Sequence, residues 1–265
     1  MENQSNNIKE GKYIYCIIKH DNDIQFGPIG IGKRNDQVYG ICYENLCAIV
    51  SNTPVIQYET RRVHITAHER VLEKVMKQFS VLPARYSTIA DTSCNEDIAE
   101  ILKRDYDRIY NLLDQVEGKK ELGLKVLAKE KVIYPRILNN NPDIARLRNK
   151  LQQLPVNKTH YQRVKIGEMV ETALEKEKEK LKAQILTELK PYYEKIKVND
   201  NYGELMLLNA AFLLSSNNES LFDEAINNID KKLGDILIFK YVGELPPYNF
   251  VNLKINLEEN LHANH

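Results

Sequence analysis

The chain has 265 residues, 43% of them hydrophobic and 28% charged, and its 37 Lys plus Arg balance 37 Asp plus Glu. That length can bury one large core or two smaller ones, and zero formal net charge leaves no global field to draw the protein to nucleic acid or to an acidic membrane. No apolar run reaches the roughly eighteen residues of a bilayer-crossing helix, and the polar stretch Met1–Gly11 lacks the apolar centre of a signal peptide, so the expected compartment is the cytosol.

Lys12–Lys19, rich in tyrosine and isoleucine, reads as a strand, followed by the loop Gly27–Gly32. Gln37–Cys42 and Leu46–Ser51 read as two strands joined at Tyr43-Glu44-Asn45. Thr60–Phe79 repeats apolar residues at Val63, Ala67, Val71, Leu72, Val75, Met76 and Phe79, the spacing of an amphipathic helix. Val81–Ala84 is a short buried strand. Asn95–Val116 predicts one helix, capped by Ser93 or Asn95, with Ile98, Leu102, Ile109 and Leu113 on its face and Gly118 as its stop. Strand, hairpin, helix, strand, helix implies an open sheet covered on one face.

Glu121–Ile133 reads as a second extended strand with Leu122, Leu124 and Val126 on one side. Pro142 opens a helical region, Pro155 interrupts it, and residues from about 158 to 192 form one long charged helix. Its Glu175–Lys182 run is a solvated face braced by neighbouring ion pairs. Lys195–Val198 and Glu204–Leu214 form a hairpin, Ser220–Leu233 a helix ended by Gly234, and Asp235–Val242 the last strand. Strand, helix, strand, strand, helix, strand is the split βαβ order of a ferredoxin-like layer. The expected fold class is therefore α+β in two domains, 1–118 and 119–265. Each has a small antiparallel or mixed sheet with helices packed on it, ferredoxin-like in the second and modified ferredoxin-like in the first.

Four cysteines, Cys16, Cys42, Cys47 and Cys94, are too few and too irregular for a disulfide framework and are expected to be thiols, the first three packed as small apolar residues. Gly27-Pro28-Ile29-Gly30-Ile31-Gly32-Lys33 matches a phosphate-binding loop as far as its lysine. Arg34 then stands where a hydroxyl residue would hold magnesium, and a strand rather than a helix follows. His64 and His68 have a chelating spacing but no glutamate after the first histidine, so His68 reads as part of a polar helix edge. No nucleophile motif is present, and no cofactor or metal is expected.

Two tracts stand out: Val81–Thr88 (VLPARYST) and Tyr241–Val251 (YVGELPPYNFV), each an apolar strand running into a proline-fixed turn. Ahead of the first lie Tyr13-Ile14-Tyr15-Cys16-Ile17, Leu46–Ser51 and Ala67–Glu73. Between the two lie Gly118–Glu121, Tyr161–Val164 with Gly167, and Leu208–Leu214. In this order and spacing the set resembles the gas vesicle protein family GvpF/GvpL over nearly the whole chain. The family pattern has Phe-Gly where this chain has Tyr86-Ser87, and Pro-Trp where it has Glu244-Leu245.

The resemblance implies a non-enzymatic accessory or minor structural protein of gas vesicle assembly, located in the cytoplasm and the gas vesicle. Its partners are the hydrophobic shell protein, whose aggregation it limits, and other accessory proteins, with neither nucleic acid nor membrane among them. Candidate partner-binding residues are Arg85, Tyr86 and Thr88 of the first tract and Pro246, Pro247, Tyr248 and Phe250 of the second. Arg85 either presents its guanidinium to a partner carboxylate or pairs internally with Glu69 or Glu73. The alternative function is a small-molecule or nucleotide-binding protein using the Gly27–Lys33 loop.

Overall fold

The computed structural model describes residues 9–32, 34–155 and 158–255. The chain divides into two compact units, one running to Glu121 and resuming at Glu244, the other spanning Leu122–Gly243. A boundary at Gly118 would give the final segment to the second unit. It groups instead with the first, where Val251 and Leu253 are buried in a core and Asn249 bonds to Glu121.

The first unit contains β1 (Glu10–Lys19), β2 (Gln25–Gly27), β3 (Val38–Tyr43), β4 (Leu46–Pro54), α1 (Arg62–Met76), β5 (Leu82–Pro83), β6 (Ile89–Ala90), α2 (Asn95–Arg104) and α3 (Tyr106–Asp114). Its sheet runs β2-β3-β4-β1-β5, with β6 also on β1. β1 is buried on both sides, because Tyr13 to Ile18 are all apolar and none is more than 1% exposed. Ile14 and Ile17 meet α2 and α3 through Ile98, Leu102, Ile109 and Leu113. Tyr13, Tyr15, Cys16 and Ile18 meet α1 through Val71, Leu72 and Val75. Tyr15 and Cys16 share a face because the register against β4 shifts between Ile14 and Cys16, a bulge that turns two successive side chains the same way. The sheet is therefore covered on both faces, not one. A continuous apolar strand can be buried in no other way, each such side chain contributing about 1.5–3 kcal/mol.

The β3–β4 hairpin turns through Glu44, which has φ 49°, and Asn45. It sets Cys42 directly opposite Cys47, and these two are joined as a disulfide while Cys16 and Cys94 are free. The expectation of four thiols is corrected to that extent: cross-strand register, which cysteine spacing does not reveal, brings the two sulfurs together. The single helix expected over Asn95–Val116 breaks at Asp105 (φ −101°, ψ 14°), whose carboxylate receives the Arg108 guanidinium at 2.9 Å. The N-cap is Cys94 rather than Ser93 or Asn95. Thr92 Oγ1 accepts the Cys94 amide at 3.0 Å, and Asn95 is already helical.

The second unit holds most of β7 (Lys119–Ala128), then α4 (Glu130–Asn140), α5 (Pro142–Gln152), α6 (His160–Leu189), β8 (Lys195–Val198), β9 (Met206–Ser215), α7 (Glu219–Leu233) and β10 (Leu237–Leu245). Its sheet order is β10-β7-β9-β8. β7 ends at Ala128, short of the expected Ile133. The apolar Val132-Ile133-Tyr134 run belongs to α4, where Ile133 and Ile137, four apart, face the core. Leu174, Leu181, Ile185 and Leu189 of α6 pack with Phe222, Ile226 and Ile229 of α7 over Leu124, Val126, Leu208 and Phe212. Lys178 departs from the expected solvated face. It is 6% exposed, and its Nζ donates to Glu175 Oε1 and the Glu204 carbonyl, both at 2.7 Å. No helix among the described residues is long and apolar enough to cross a membrane.

Candidate functional site

The first tract leaves β5 alongside β1, with the Ala84 amide donating to the Tyr15 carbonyl and the Ile14 amide to the Thr88 carbonyl, each at 2.9 Å. Between these anchors it makes a tight turn. Thr88 bonds the Arg85 carbonyl through its amide (3.2 Å) and its hydroxyl (2.7 Å). Ser87 sits at φ 63°, the left-handed region that glycine enters without cost. A glycine in the family pattern at this position thus has a backbone reason. Here the serine hydroxyl compensates by accepting the Tyr58 amide at 3.1 Å.

The second tract is fixed by Pro246 and Pro247, both buried. The amides of Phe250 and Val251 close onto the Pro247 carbonyl at 3.1 Å. Asn249 donates its amide (3.0 Å) and its side-chain Nδ2 (2.6 Å) to the two oxygens of Glu121. Glu121 is 1% exposed, and burial raises its carboxyl above the usual range against the lowering effect of these bonds.

His68 joins the two tracts. The Ser87 amide donates to the Tyr13 hydroxyl at 2.9 Å, which leaves that hydroxyl's proton for His68 Nδ1 at 3.0 Å. A neutral imidazole accepts at one nitrogen and donates at the other, so Nε2 carries the proton and gives it to the Tyr248 hydroxyl at 2.9 Å. Tyr248 in turn faces the Ala84 carbonyl at 3.5 Å. The rings of Tyr13, Tyr15 and Tyr86 surround the imidazole at 5.7–5.8 Å. Burial pushes His68 down to about 4, Tyr15 up to about 12, and Tyr13 and Tyr248 well above the usual phenol range.

Arg85 is exposed, and its Nη2 donates to Asn252 Oδ1 at 3.3 Å; among the described residues no ion pair joins it to Glu69 or Glu73. Tyr86 is half-buried, its hydroxyl on the Glu59 carbonyl at 2.8 Å. Thr88 and Phe250 are half-buried, while Tyr248 keeps 44% exposure on its flank. The two tracts therefore bind each other first. Of the candidate residues, Arg85 and the flank of Tyr248 stay open to solvent, with Tyr86, Thr88 and Phe250 partly open.

His68 is no polar helix edge: at 2% exposure it is the hub. Its place was readable from Val71, Leu72 and Val75, three, four and seven residues on along the buried face of α1. Both its ring nitrogens are engaged with tyrosines, and His64 Nδ1 meets the Glu59 carbonyl at 3.1 Å. In the glycine loop, the Ile29 amide bonds the Gly27 carbonyl, the Gly30 amide the Asp36 carbonyl and the Ile31 amide the Tyr15 hydroxyl. Those three donors are committed inside the protein, and β3 follows. Lys33 lies outside the described residues.

Fold and site together define a two-unit α+β protein whose C-terminal segment returns to the first unit and is secured there by a tyrosine–histidine relay centred on the buried His68. The profile described as "Gas vesicle synthesis protein GvpL/GvpF" matches residues 11–252, and the chain belongs to that family. It is 26% identical over 243 residues to gas vesicle protein F of Dolichospermum flosaquae, covering 91% of this chain and 97% of that protein. Its fold is similar to the crystal structure of GvpF from Anabaena sp., with a TM-score of 0.80 at 23% identity over 92% of this chain and 99% of that one. GvpF from Microcystis aeruginosa gives 0.71 at 22% identity over the same shares.

Proposed function

We propose that this gas vesicle protein is a non-enzymatic assembly factor that binds the hydrophobic shell protein and limits its aggregation before the subunit joins the wall. The observation that carries the reading is the family match across residues 11–252, nearly the whole chain. The physics is that of a holding partner. Shell subunits in water offer apolar faces and strand edges, and a protein that covers either removes the template for uncontrolled stacking. Such holding needs neither ATP nor a cofactor.

The surface proposed for this contact is the rim of the two tracts. Arg85, Tyr86, Thr88, Tyr248 and Phe250 supply a guanidinium and aromatic flanks, while the buried Pro246 and Pro247 set its shape. Other vesicle accessory proteins are further partners, and the working location is the cytoplasm and the growing vesicle. The internal commitment of the Gly27–Gly32 amides disfavours nucleotide binding at that loop. Co-expression with the shell protein is the test. The soluble fraction of shell protein should rise with the wild type and fall back with Arg85→Ala/Tyr248→Ala, and no association at micromolar concentration overturns the reading.

A further inference from the structure

The sheet of the second unit ends in two unlike edges, β8 and β10. β8 is guarded: it is four residues long, with Lys195 and Lys197 exposed along it, and so offers little to an incoming strand. β10 is nine residues long, carries a single lysine and meets no proline until Pro246. It pairs with β7 on one side and stands at the end of the strand order, so its other side presents a row of backbone N–H and C=O groups with no strand partner among the described residues. A long edge without a blocking device is a template for another strand.

Alternation sorts the residues of β10 by face. Leu237, Phe239 and Tyr241 turn to the helices: they pack with the core, and the Tyr241 hydroxyl bonds Asp223 of α7. Gly243 and Leu245 continue that row. Ile238, Lys240, Val242 and Glu244 form the other row, and all four are exposed. Set antiparallel to a copy of itself about a two-fold axis at Val242, the strand finds a complement at each position. Lys240 lies opposite Glu244 of the second copy, Val242 opposite Val242, and Phe239 opposite Leu245, which are favourable cross-strand pairs of opposite charge or apolar character. Tyr241 falls opposite Gly243, where no atom lies within 4 Å of a Cβ position, so the ring of one copy shields the bare backbone of the other. The ladder stops where Ile238 would meet Pro246, which has no N–H to give. An axis at Lys240 would set the two lysines against each other, and one at Tyr241 would set Ile238 against Glu244.

We infer that the free edge of β10 is a homodimer interface, joining two copies so that their four-stranded sheets become one continuous sheet with the helices of both on the same face. The occupant is a second copy because one strand supplies both members of every pair, the mark of an isologous contact. Lys240 has no ion-pair partner among the described residues. Glu244 meets Lys120 Nζ through Oε2 at 3.3 Å, and a carboxylate has a second oxygen for an incoming ammonium. Zero formal net charge leaves no long-range repulsion between the copies. The inference goes beyond the proposed function and does not rest on shell-protein binding.

The test is analytical ultracentrifugation of the full chain over a micromolar concentration series, with thermal unfolding to check that each variant folds. Lys240→Glu sets a carboxylate against Glu244 in both halves of the interface and should raise the dimer dissociation constant by about tenfold or more. Lys240→Glu/Glu244→Lys restores the pair with its signs exchanged and should return the constant to within about threefold of the wild type. Cysteines read the register, in a Cys94→Ser background that removes the exposed thiol, with glutathione disulfide as oxidant. Val242→Cys should crosslink to its own copy, since directly opposite Cβ atoms lie about 4.5–5.5 Å apart. Lys240→Cys should not, because its two copies sit about 13 Å apart along the ladder. A chain that is monomeric at every concentration overturns the inference, as does a dimer that Lys240→Glu leaves intact, a double variant no tighter than the single one, or equal crosslinking at the two positions. A monomeric chain whose Lys240→Glu variant loses shell-protein binding would assign the edge to that partner and overturn it too.

Discussion

His68 Nε2 lies 2.9 Å from the hydroxyl of Tyr248, a residue 180 positions further along the chain. The bond ties the diproline segment to α1, and through Nδ1 and Tyr13 to the VLPARYST turn. Replacing Tyr248 by phenylalanine leaves a buried imidazole N–H without its partner, and replacing His68 by phenylalanine strands the Tyr13 hydroxyl. Each single change should cost about 1–3 kcal/mol in denaturant unfolding of the first unit. The double variant should cost clearly less than the sum, because the two residues share one chain of bonds. Strict additivity would show that the relay does not act as a unit.

The same histidine sets a pH dependence. Burial lowers His68 from 6.5 to about 4, so the unfolded chain binds its proton first as pH falls. The stability contributed by the neutral imidazole is complete above pH 6.5 and is lost progressively down to about pH 4, amounting to up to about 3 kcal/mol. Wild-type melting temperature should fall across that window. His68→Gln, which keeps hydrogen-bonding capacity and cannot titrate, should be less stable at pH 7 yet show a flatter profile between those limits.

Ser87 gives a test of backbone against side chain. Its φ of 63° strains any residue except glycine, and its hydroxyl holds the Tyr58 amide at 3.1 Å. Ser87→Gly removes about 1–2 kcal/mol of strain and loses a bond worth about 0.5–1.5 kcal/mol, so its net effect should be small. Ser87→Ala loses the bond and keeps the strain, and should destabilise by about 1 kcal/mol. An alanine variant as stable as the glycine variant would show that the backbone relaxes at this turn.

Much of the secondary structure was legible because its signals are local. The Tyr13–Ile18 run, the Val71/Leu72/Val75 spacing, Pro142 at a helix start and the hairpin before Leu46 each act within a few residues. The missing parts are relations between distant residues. Burial of β1 on both faces depends on which helices return to it. The Cys42–Cys47 bridge depends on register. Glu121 looks like a surface residue in sequence, since a buried carboxylate differs from an exposed one only in what reaches it, here Asn249 from 128 positions away. The rim residues were visible as tracts, but which of them face solvent depended on the same distant contacts.

Asn249 tests the closure of the C-terminal segment. Its backbone amide and its side-chain Nδ2 both reach the buried Glu121 carboxylate; Asn249→Ala keeps the first bond and loses the second, so it should cost about 1.5–3 kcal/mol, typical of one bond to a charged acceptor. It should also raise hydrogen exchange selectively in residues 246–255. Asn249→Asp is the more discriminating change. It places a second carboxylate against one whose pKa burial already raises, and two such groups in one site cannot both ionise cheaply. The Asp variant should be less stable than the Ala variant at pH 7 and recover relative to it as the pH is lowered towards 4, when the pair can share a proton. An Asp variant that tracks the Ala variant at every pH would mean that Glu121 is reached by water and that its bonds to Asn249 do not hold the segment in place.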